Sequence, residues 1–237
     1  MILVTGATGK VGSEAVRLLR QREIPVRALV RSQAKAAPLA QAGAEIAEGD
    51  LEEPGTLDEA MKGITTVVLV SPGVPAQEIN VIDSAVRAGA GHVVKITSNA
   101  SADSPIARRR WQTEIETALA ASGLDHTLLR GNAYMQNTLA LAPAIAKTSS
   151  FGSSTGAGRL GMIDARDVGA VAAEIAASPA PHVTKTYWLT GPELLSYADV
   201  AAVLSTVLGR RITYRQVSRE EDREAMLRAG LPSRSPR

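Results

Sequence analysis

A chain of 237 residues is long enough to bury a sizeable core and suits one domain, or one domain with a small appendage. Hydrophobic residues at 45% and charged residues at 21% fit an ordinary soluble globular protein, while an aromatic share of 3% leaves too few rings for a base-stacking nucleic-acid platform. There is no cysteine, which excludes disulfides, thiolate catalysis and cysteine-ligated metal, and the formal charge of +2 reflects arginines spread along the chain.

The only tight basic cluster, Arg108 to Arg110, reads as a solvated helix start. Met1 leads straight into a strand-like run, leaving no room for a signal peptide, and no apolar run reaches membrane-spanning length. A cytoplasmic protein with no membrane or nucleic-acid partner is expected.

In chain order, short apolar runs at 2–4, 26–30, 44–47, 66–70, 92–96 and 126–129 are rich in β-branched residues, as strands buried on both faces are. Between them, 11–22, 54–61, 77–88 and 106–121 space their apolar residues as helices do, with Gly63 and Gly123 as stop signals. This alternation predicts an α/β fold, a doubly wound parallel sheet with helices on both faces. Beyond Arg130 the rhythm loosens. Residues 148–161 are dense in Ser, Gly and Thr and read as a loop. Further helices are predicted at 165–177, at 197–208 closed by Gly209, and at 219–228 closed by Gly230; strands are predicted at 186–190 and 212–217, and a frayed tail at 231–237. No internal repeat is visible.

Between the first strand and the first helix stands Thr5-Gly6-Ala7-Thr8-Gly9-Lys10-Val11-Gly12. The strand–loop–helix setting gives this G-x-x-G-x-x-G spacing its meaning. Gly6 permits a tight turn, Gly9 lets backbone approach a pyrophosphate, and Gly12 lets the helix pack closely on the sheet. Free N–H groups at the helix start, with the dipole behind them, make the stretch from Gly6 through Thr8, Lys10 and Val11 a candidate diphosphate site. A Walker loop fits poorly, because Lys10 is followed by Val11 and not by a Ser or Thr that could hold Mg²⁺. A glycine-rich turn without a ligand is the plainer alternative, and the flanking strand and helix weigh against it.

After the second strand come Arg31 and Ser32, where an NAD-selective site places Asp or Glu for the ribose 2′-hydroxyl. A guanidinium and a hydroxyl suit a 2′-phosphate, so NADPH is expected in preference to NADH. One or two charge-assisted hydrogen bonds, at roughly 1.5–3 kcal/mol each, give about tenfold or more. A surface arginine would look the same. Asp50 and Leu51, after the third strand, are placed to face an adenine; Asp50 could equally start the next helix.

Together these segments resemble the NmrA-like branch of the atypical short-chain dehydrogenases/reductases, the group that includes bacterial NADPH:quinone oxidoreductases of type 2 and triphenylmethane reductase. The similarity is carried by 4–12, 26–31, Gly49-Asp50-Leu51, the stretch 122–130 with Asn137, 163–168 and Leu189-Thr190-Gly191-Pro192, and so spans nearly the whole chain. It implies an NAD(P)-binding Rossmann domain over residues 1–130 and a smaller substrate-binding lobe over 131–237, partly interleaved with the sheet. It also implies a nicotinamide near Val70, Ser71, Pro72 and Gly73 and near Thr97 and Ser98, at strand carboxyl ends where open α/β sheets bind ligands. Family members continue beyond Gly230-Leu231-Pro232, so one wall of the substrate pocket is expected to be missing or supplied by a partner. A homodimer is implied by the resemblance alone.

Standard short-chain reductases use Tyr-x-x-x-Lys, and none of Tyr134, Tyr187, Tyr197 and Tyr214 has Lys four residues later. In the NmrA-like branch a Lys or His often stands four residues before a helix Glu corresponding to Glu116; here that place is Gln112. An amide can orient a substrate carbonyl but cannot donate a proton at neutral pH. Hydride transfer needs mainly position, and quinone or dye reduction can draw its proton from water. The expected activity is therefore transfer of a hydride from NADPH to a quinone-like or other conjugated small-molecule acceptor, with Gln112, Thr97 and Tyr134 as candidate catalytic groups. For Thr97, Ser98, Asn132 and Tyr134 a satisfied structural role fits at least as well, and Glu116 reads as a paired or solvated carboxylate. The alternative is a non-enzymatic redox sensor of the NmrA type, favoured by Gln112 and the early end; an epimerase is disfavoured by the absent Tyr-x-x-x-Lys. Residues 152–156 match the esterase pattern G-x-S-x-G without a strand-to-helix elbow and are rejected. His92, His126 and His182 lack ligand spacing, and no metal site is expected.

Overall fold

The computed structural model describes residues 1–228; the expected stop at Gly230 and the tail 231–237 lie outside the described residues. The first half of the chain alternates strictly: β1 (Ile2–Val4), α1 (Lys10–Gln21), β2 (Val26–Val30), α2 (Ala37–Gln41), β3 (Glu45–Glu48), α3 (Pro54–Met61), β4 (Thr66–Leu69), α4 (Pro75–Arg87), β5 (His92–Thr97), α5 (Ala107–Ala121) and β6 (Asp125–Gly131). There follow α6 (Ala142–Thr148), β7 (Ser150–Ser153), β8 (Leu160–Gly161), α7 (Ala165–Ala177), β9 (Thr186–Leu189), β10 (Leu194–Leu195), α8 (Tyr197–Leu208), β11 (Thr213–Gln216) and α9 (Arg219–Arg228).

Seven strands form one sheet in the order β3-β2-β1-β4-β5-β6-β9. All its pairings are parallel, with Ile2 opposite both Val26 and Thr66. The strand order reverses at β1 and β4, which is the switch point where a doubly wound sheet opens a crevice at its carboxyl edge. This is the expected doubly wound Rossmann-type α/β fold. Helix α1 packs against α7, and α3 and α5 pack on either side of α4.

The sequence accounts for these elements locally. In α1 the buried Val11, Ala15, Val16 and Leu19 recur at helical spacing and form one stripe. A Cβ on Gly169 would stand 2.8 Å from both the Val11 carbonyl oxygen and the Glu14 Cβ, so this glycine sets the close approach of α7 to α1. Strand β3 is the sheet edge and carries exposed Glu45 and Glu48, charges that discourage pairing with another chain. Arg27 on β2 ties that edge down: its Nε donates to Glu45 at 2.8 Å, and its Nη1 donates to the carbonyls of Ala60 and Lys62 at 2.7 Å, closing the end of α3. One core cluster joins Leu3, Leu57, Met61, Val67, Leu69, Ile82, Val93, Ile115 and Leu119.

The chain divides into two compact units, Met1–Gly131 with Ala165–Leu189, and Asn132–Asp164 with the segment from Thr190 onward. The second unit has its own small core of Ile145, Phe151, Met162, Val200, Ala201 and Ile212. The rings of Phe151, Tyr197 and Tyr214 meet there at centroid distances of 5.8–6.1 Å. Residues 148–161, expected to be a loop, contain two strands: β7 pairs in parallel with β11, and β8 pairs antiparallel with β10. The small polar residues there are those of short strands whose partners lie far along the chain, a pairing that local composition does not reveal. Ser154, the serine of the rejected esterase pattern, donates to Asp222 at 2.7 Å. The 3₁₀ turns Gln33–Lys35 and Met135–Leu141, and helices α2 and α6, carried no periodicity long enough to predict. Among the described residues no helix is long and apolar enough to cross a membrane.

Candidate functional site

A cavity of about 760 Å³ opens at the carboxyl ends of β1, β2 and β4 within the first unit. Its wall is formed by Gly6, Thr8, Gly9, Lys10, Arg31, Asp50, Leu51, Val70, Ser71 and Pro72, all singled out from the sequence. Leu29, Val30 and Gly49, which entered only as parts of the matching segments, complete it with Gln77. Gln77 is anchored by Glu52, which accepts from its Nε2 at 2.8 Å; a polar residue in the first turn of a helix gave no signal of this in the sequence.

The loop has the geometry its glycines require. Gly6 has φ +54°, and a Cβ there would lie 2.6 Å from the Val70 carbonyl oxygen. Only glycine accepts both the left-handed backbone and that approach. The Gly9 N–H donates back to the Gly6 carbonyl at 2.9 Å, and the Thr5 hydroxyl donates to Val70 O at 2.7 Å, fastening the loop to β4. Val11 and Gly12 are buried in the first turn of α1. Gly12 is small for a different reason than expected: a Cβ there would run into the Gly6 carbonyl, so it keeps helix and loop together, not helix and sheet. Helix α1 has Gly9 at its N-cap, with no side chain capping it and no carboxylate in its first turn. Its N–H groups and dipole thus meet the cavity unneutralised, an arrangement that suits an anion such as a diphosphate.

Arg31 is exposed at the rim, and the Ser32 hydroxyl accepts from Ala34 N at 3.3 Å, capping the following 3₁₀ turn. Asp50 does not begin a helix: its Oδ1 accepts from Glu52 N at 3.0 Å in a turn, and α3 starts only at Pro54.

Two polar networks lie behind the β4 and β5 ends. In the first, Thr97 Oγ1 is 2.8 Å from Gln112 Oε1 and 2.9 Å from Glu116 Oε1. Glu116 pairs with Arg130 at 2.5 Å, whose guanidinium carbon lies 5.2 Å from the Trp188 ring centre. Gln112 is almost fully buried, and its Nε2 lies 2.5 Å from where a Cβ on Gly73 would be. In the second, Ser71 Oγ donates to Glu78 Oε1 at 2.6 Å, and Glu78 Oε2 faces Lys95 Nζ at 2.6 Å. Both side chains are fully buried. Burial pulls the Lys95 amine below its ordinary value, against the opposing pull of Glu78. Sequence reasoning missed this pair; a Lys inside an otherwise apolar strand was the available signal. Of the remaining candidates, Ser98 follows Thr97 at the end of β5, while Asn132 and Tyr134 belong to the second unit, where the Tyr134 backbone bridges to Ile163.

The opposite, amino-terminal edge of the sheet gathers all three histidines. Thr127 donates its hydroxyl proton to the His182 carbonyl at 2.7 Å and therefore accepts from His92 Nε2 at 2.9 Å. His92 also lines a separate cleft of about 560 Å³ with Asp125, Thr66 and Val183.

The description "NmrA-like family" fits residues 1–233. The chain is 41% identical over 236 residues to the NAD(P)H azoreductase of Xenophilus azovorans, covering 98% of this chain and 82% of that protein. The NADPH-dependent quinone oxidoreductase of Escherichia coli, solved in complex with NADPH, superposes with a TM-score of 0.87 at 32% identity over 98% of this chain and 84% of that one. Triphenylmethane reductase of Citrobacter sp., complexed with NADP(H), gives 0.87 at 26% identity over the same shares. The chain therefore belongs to the NmrA-like family.

Proposed function

We propose that the protein is an NADPH-dependent oxidoreductase that reduces a small conjugated acceptor of the azo, quinone or cationic-dye class. The observation that carries this reading is the uncapped start of α1 opening, beside Gly6, Thr8, Gly9 and Lys10, on a cavity whose far rim bears Arg31. It is supported by relatives and solved neighbours that are named as NAD(P)H-dependent reductases.

In this reading the α1 amides hold the diphosphate, Arg31 takes the 2′-phosphate, and Asp50 and Leu51 flank the adenine. Val70, Ser71 and Pro72, with Thr97 and Ser98, border the reacting end. The bound nicotinamide supplies a hydride. Gln112 and Thr97 orient groups there and donate no proton at neutral pH; proton delivery falls to water, which suffices for acceptors that leave a stabilised anion. NADH serves less well than NADPH.

The test is NADPH consumption by the purified chain against a panel of quinones, azo dyes and triphenylmethane dyes, with calorimetric binding of NADPH and NADH. Saturable NADPH binding with turnover of at least one class is expected. Tight binding without turnover of any would convert the reading to a redox sensor, and no binding of either nucleotide would end it.

A further inference from the structure

We propose that the buried Glu78–Lys95 pair is a positioning device, which fixes the Ser71–Gly73 segment and so sets the reacting geometry of the reduction proposed above, on which this inference rests. Glu78 stands in the first turn of α4 and Lys95 in β5, the strand beside the central β4, and neither side chain is exposed. The carboxylate is divided between two tasks. Oε2 faces the ammonium at 2.6 Å, and Oε1 accepts the Ser71 hydroxyl at 2.6 Å. Having given its proton to Glu78, Ser71 Oγ accepts the Gly73 N–H at 2.9 Å. That bond bends the segment back on itself through Gly73, whose φ of +80° only glycine adopts readily. The bend seats Gly73 against the Gln112 amide. On its other side, Lys95 Nζ donates to the Ile96 carbonyl at 2.8 Å, immediately before Thr97. One ion pair thus reaches the segment that follows β4 and the carboxyl end of the adjacent β5, the two that border the proposed reacting end.

Stability gives no account of this arrangement. Apolar side chains of similar volume usually serve a protein interior as well as a buried ion pair or better, because both charges lose their hydration. What an apolar pair could not do is accept the Ser71 hydroxyl in a fixed direction. Placing a reacting group within a fraction of an ångström is where such rigidity counts.

Two double variants separate the roles. E78L/K95M removes both charges and the acceptor for Ser71; E78Q/K95M removes both charges and keeps a carbonyl oxygen there. With E78L/K95M, kcat for NADPH oxidation by a simple benzoquinone is expected to fall about tenfold or more while the NADPH Kd moves less than about threefold. Amide hydrogen exchange at Gly73 is expected to accelerate by about tenfold or more. E78Q/K95M recovers most of both. Equal kcat and equal Gly73 exchange in the two variants and the wild type would overturn the proposal, as would equal losses in both variants. Ser71→Ala cuts the link at its other end with the pair intact. It must reproduce the kcat loss and the faster exchange, and unchanged values there overturn the proposal even where E78L/K95M does not fold. A wild type that neither binds nor oxidises NADPH defeats the proposed function instead, and the exchange contrast then still decides whether the pair holds the segment.

Discussion

The hydroxyl of Thr97 lies 2.8 Å from Oε1 of Gln112, and the same hydroxyl is 2.9 Å from Oε1 of Glu116. One hydroxyl proton can satisfy only one of these oxygens. Glu116 is ion-paired with Arg130, so the stronger, charge-assisted bond takes the proton. Gln112 Oε1, as placed, is a second acceptor on the same hydroxyl, and only a turned amide with Nε2 toward Thr97 would donate to it. Gln112→Glu cannot donate as a carboxylate and brings a second negative charge toward Glu116. We expect it to cost about 1–3 kcal/mol of stability near pH 7, relative to wild type, with part of that deficit recovered near pH 5 as the added carboxyl protonates. Urea midpoints at the two pH values read this. A deficit that does not depend on pH would show that the charge of the added carboxyl is not what destabilises the variant.

Arg31 sits exposed at the cavity rim with no acidic residue beside it in sequence. Arg31→Ala should weaken NADPH binding about tenfold and leave NADH binding within about twofold, the loss expected of one charge-assisted hydrogen bond to a phosphate. Calorimetric titration with both nucleotides measures it; equal losses for the two would remove Arg31 from 2′-phosphate recognition.

His92 is buried at the amino edge of the sheet, where desolvation lowers its pKa below 6.5; Asp125 opposes the shift, and His126 and His182 add to it. The neutral ring is thus favoured by folding. Stability from this group is complete above the unfolded value of 6.5 and is lost as pH falls through the lower native value. Wild-type protein should lose stability on going from about pH 7 to about pH 5, and His92→Gln, which keeps a donor for Thr127, should lose less. Parallel pH–stability curves for the two proteins would show that another group governs the acid side.

At Gly169 any Cβ would stand 2.8 Å from the backbone carbonyl of Val11. Backbone cannot yield as a flexible side chain can, so Gly169→Ala should destabilise by about 1–3 kcal/mol despite the better helix propensity of alanine. Thermal and urea unfolding report it. A stabilised variant would mean that α7 and α1 separate freely.

The sequence alone determined the alternation of strand and helix through β6 apart from α2, the glycine loop at the start of α1 and the basic residue after β2. Each of these is a local matter: a short apolar run, a helical stripe, a residue type at a fixed offset from a turn. Its signals were weakest where the partner lies far away in the chain. β7 is made of Ser, Phe and Gly and becomes a strand only because Thr213–Gln216 pairs with it. Lys95 is a charge in an apolar strand until the sheet and α4 bring Glu78 to 2.6 Å from it. His92 and His126, spaced without pattern, share one edge because parallel β5 and β6 align their amino ends, and His182 joins them from the 3₁₀ turn Ala180–His182 before β9. Gln112 and Glu116 could be named from the family resemblance, but that a single Thr97 hydroxyl joins them depends on how α5 lies on the sheet. Hydrogen bonds and ion pairs act over about 3 Å, and only the packed chain brings residues far apart in sequence within that reach.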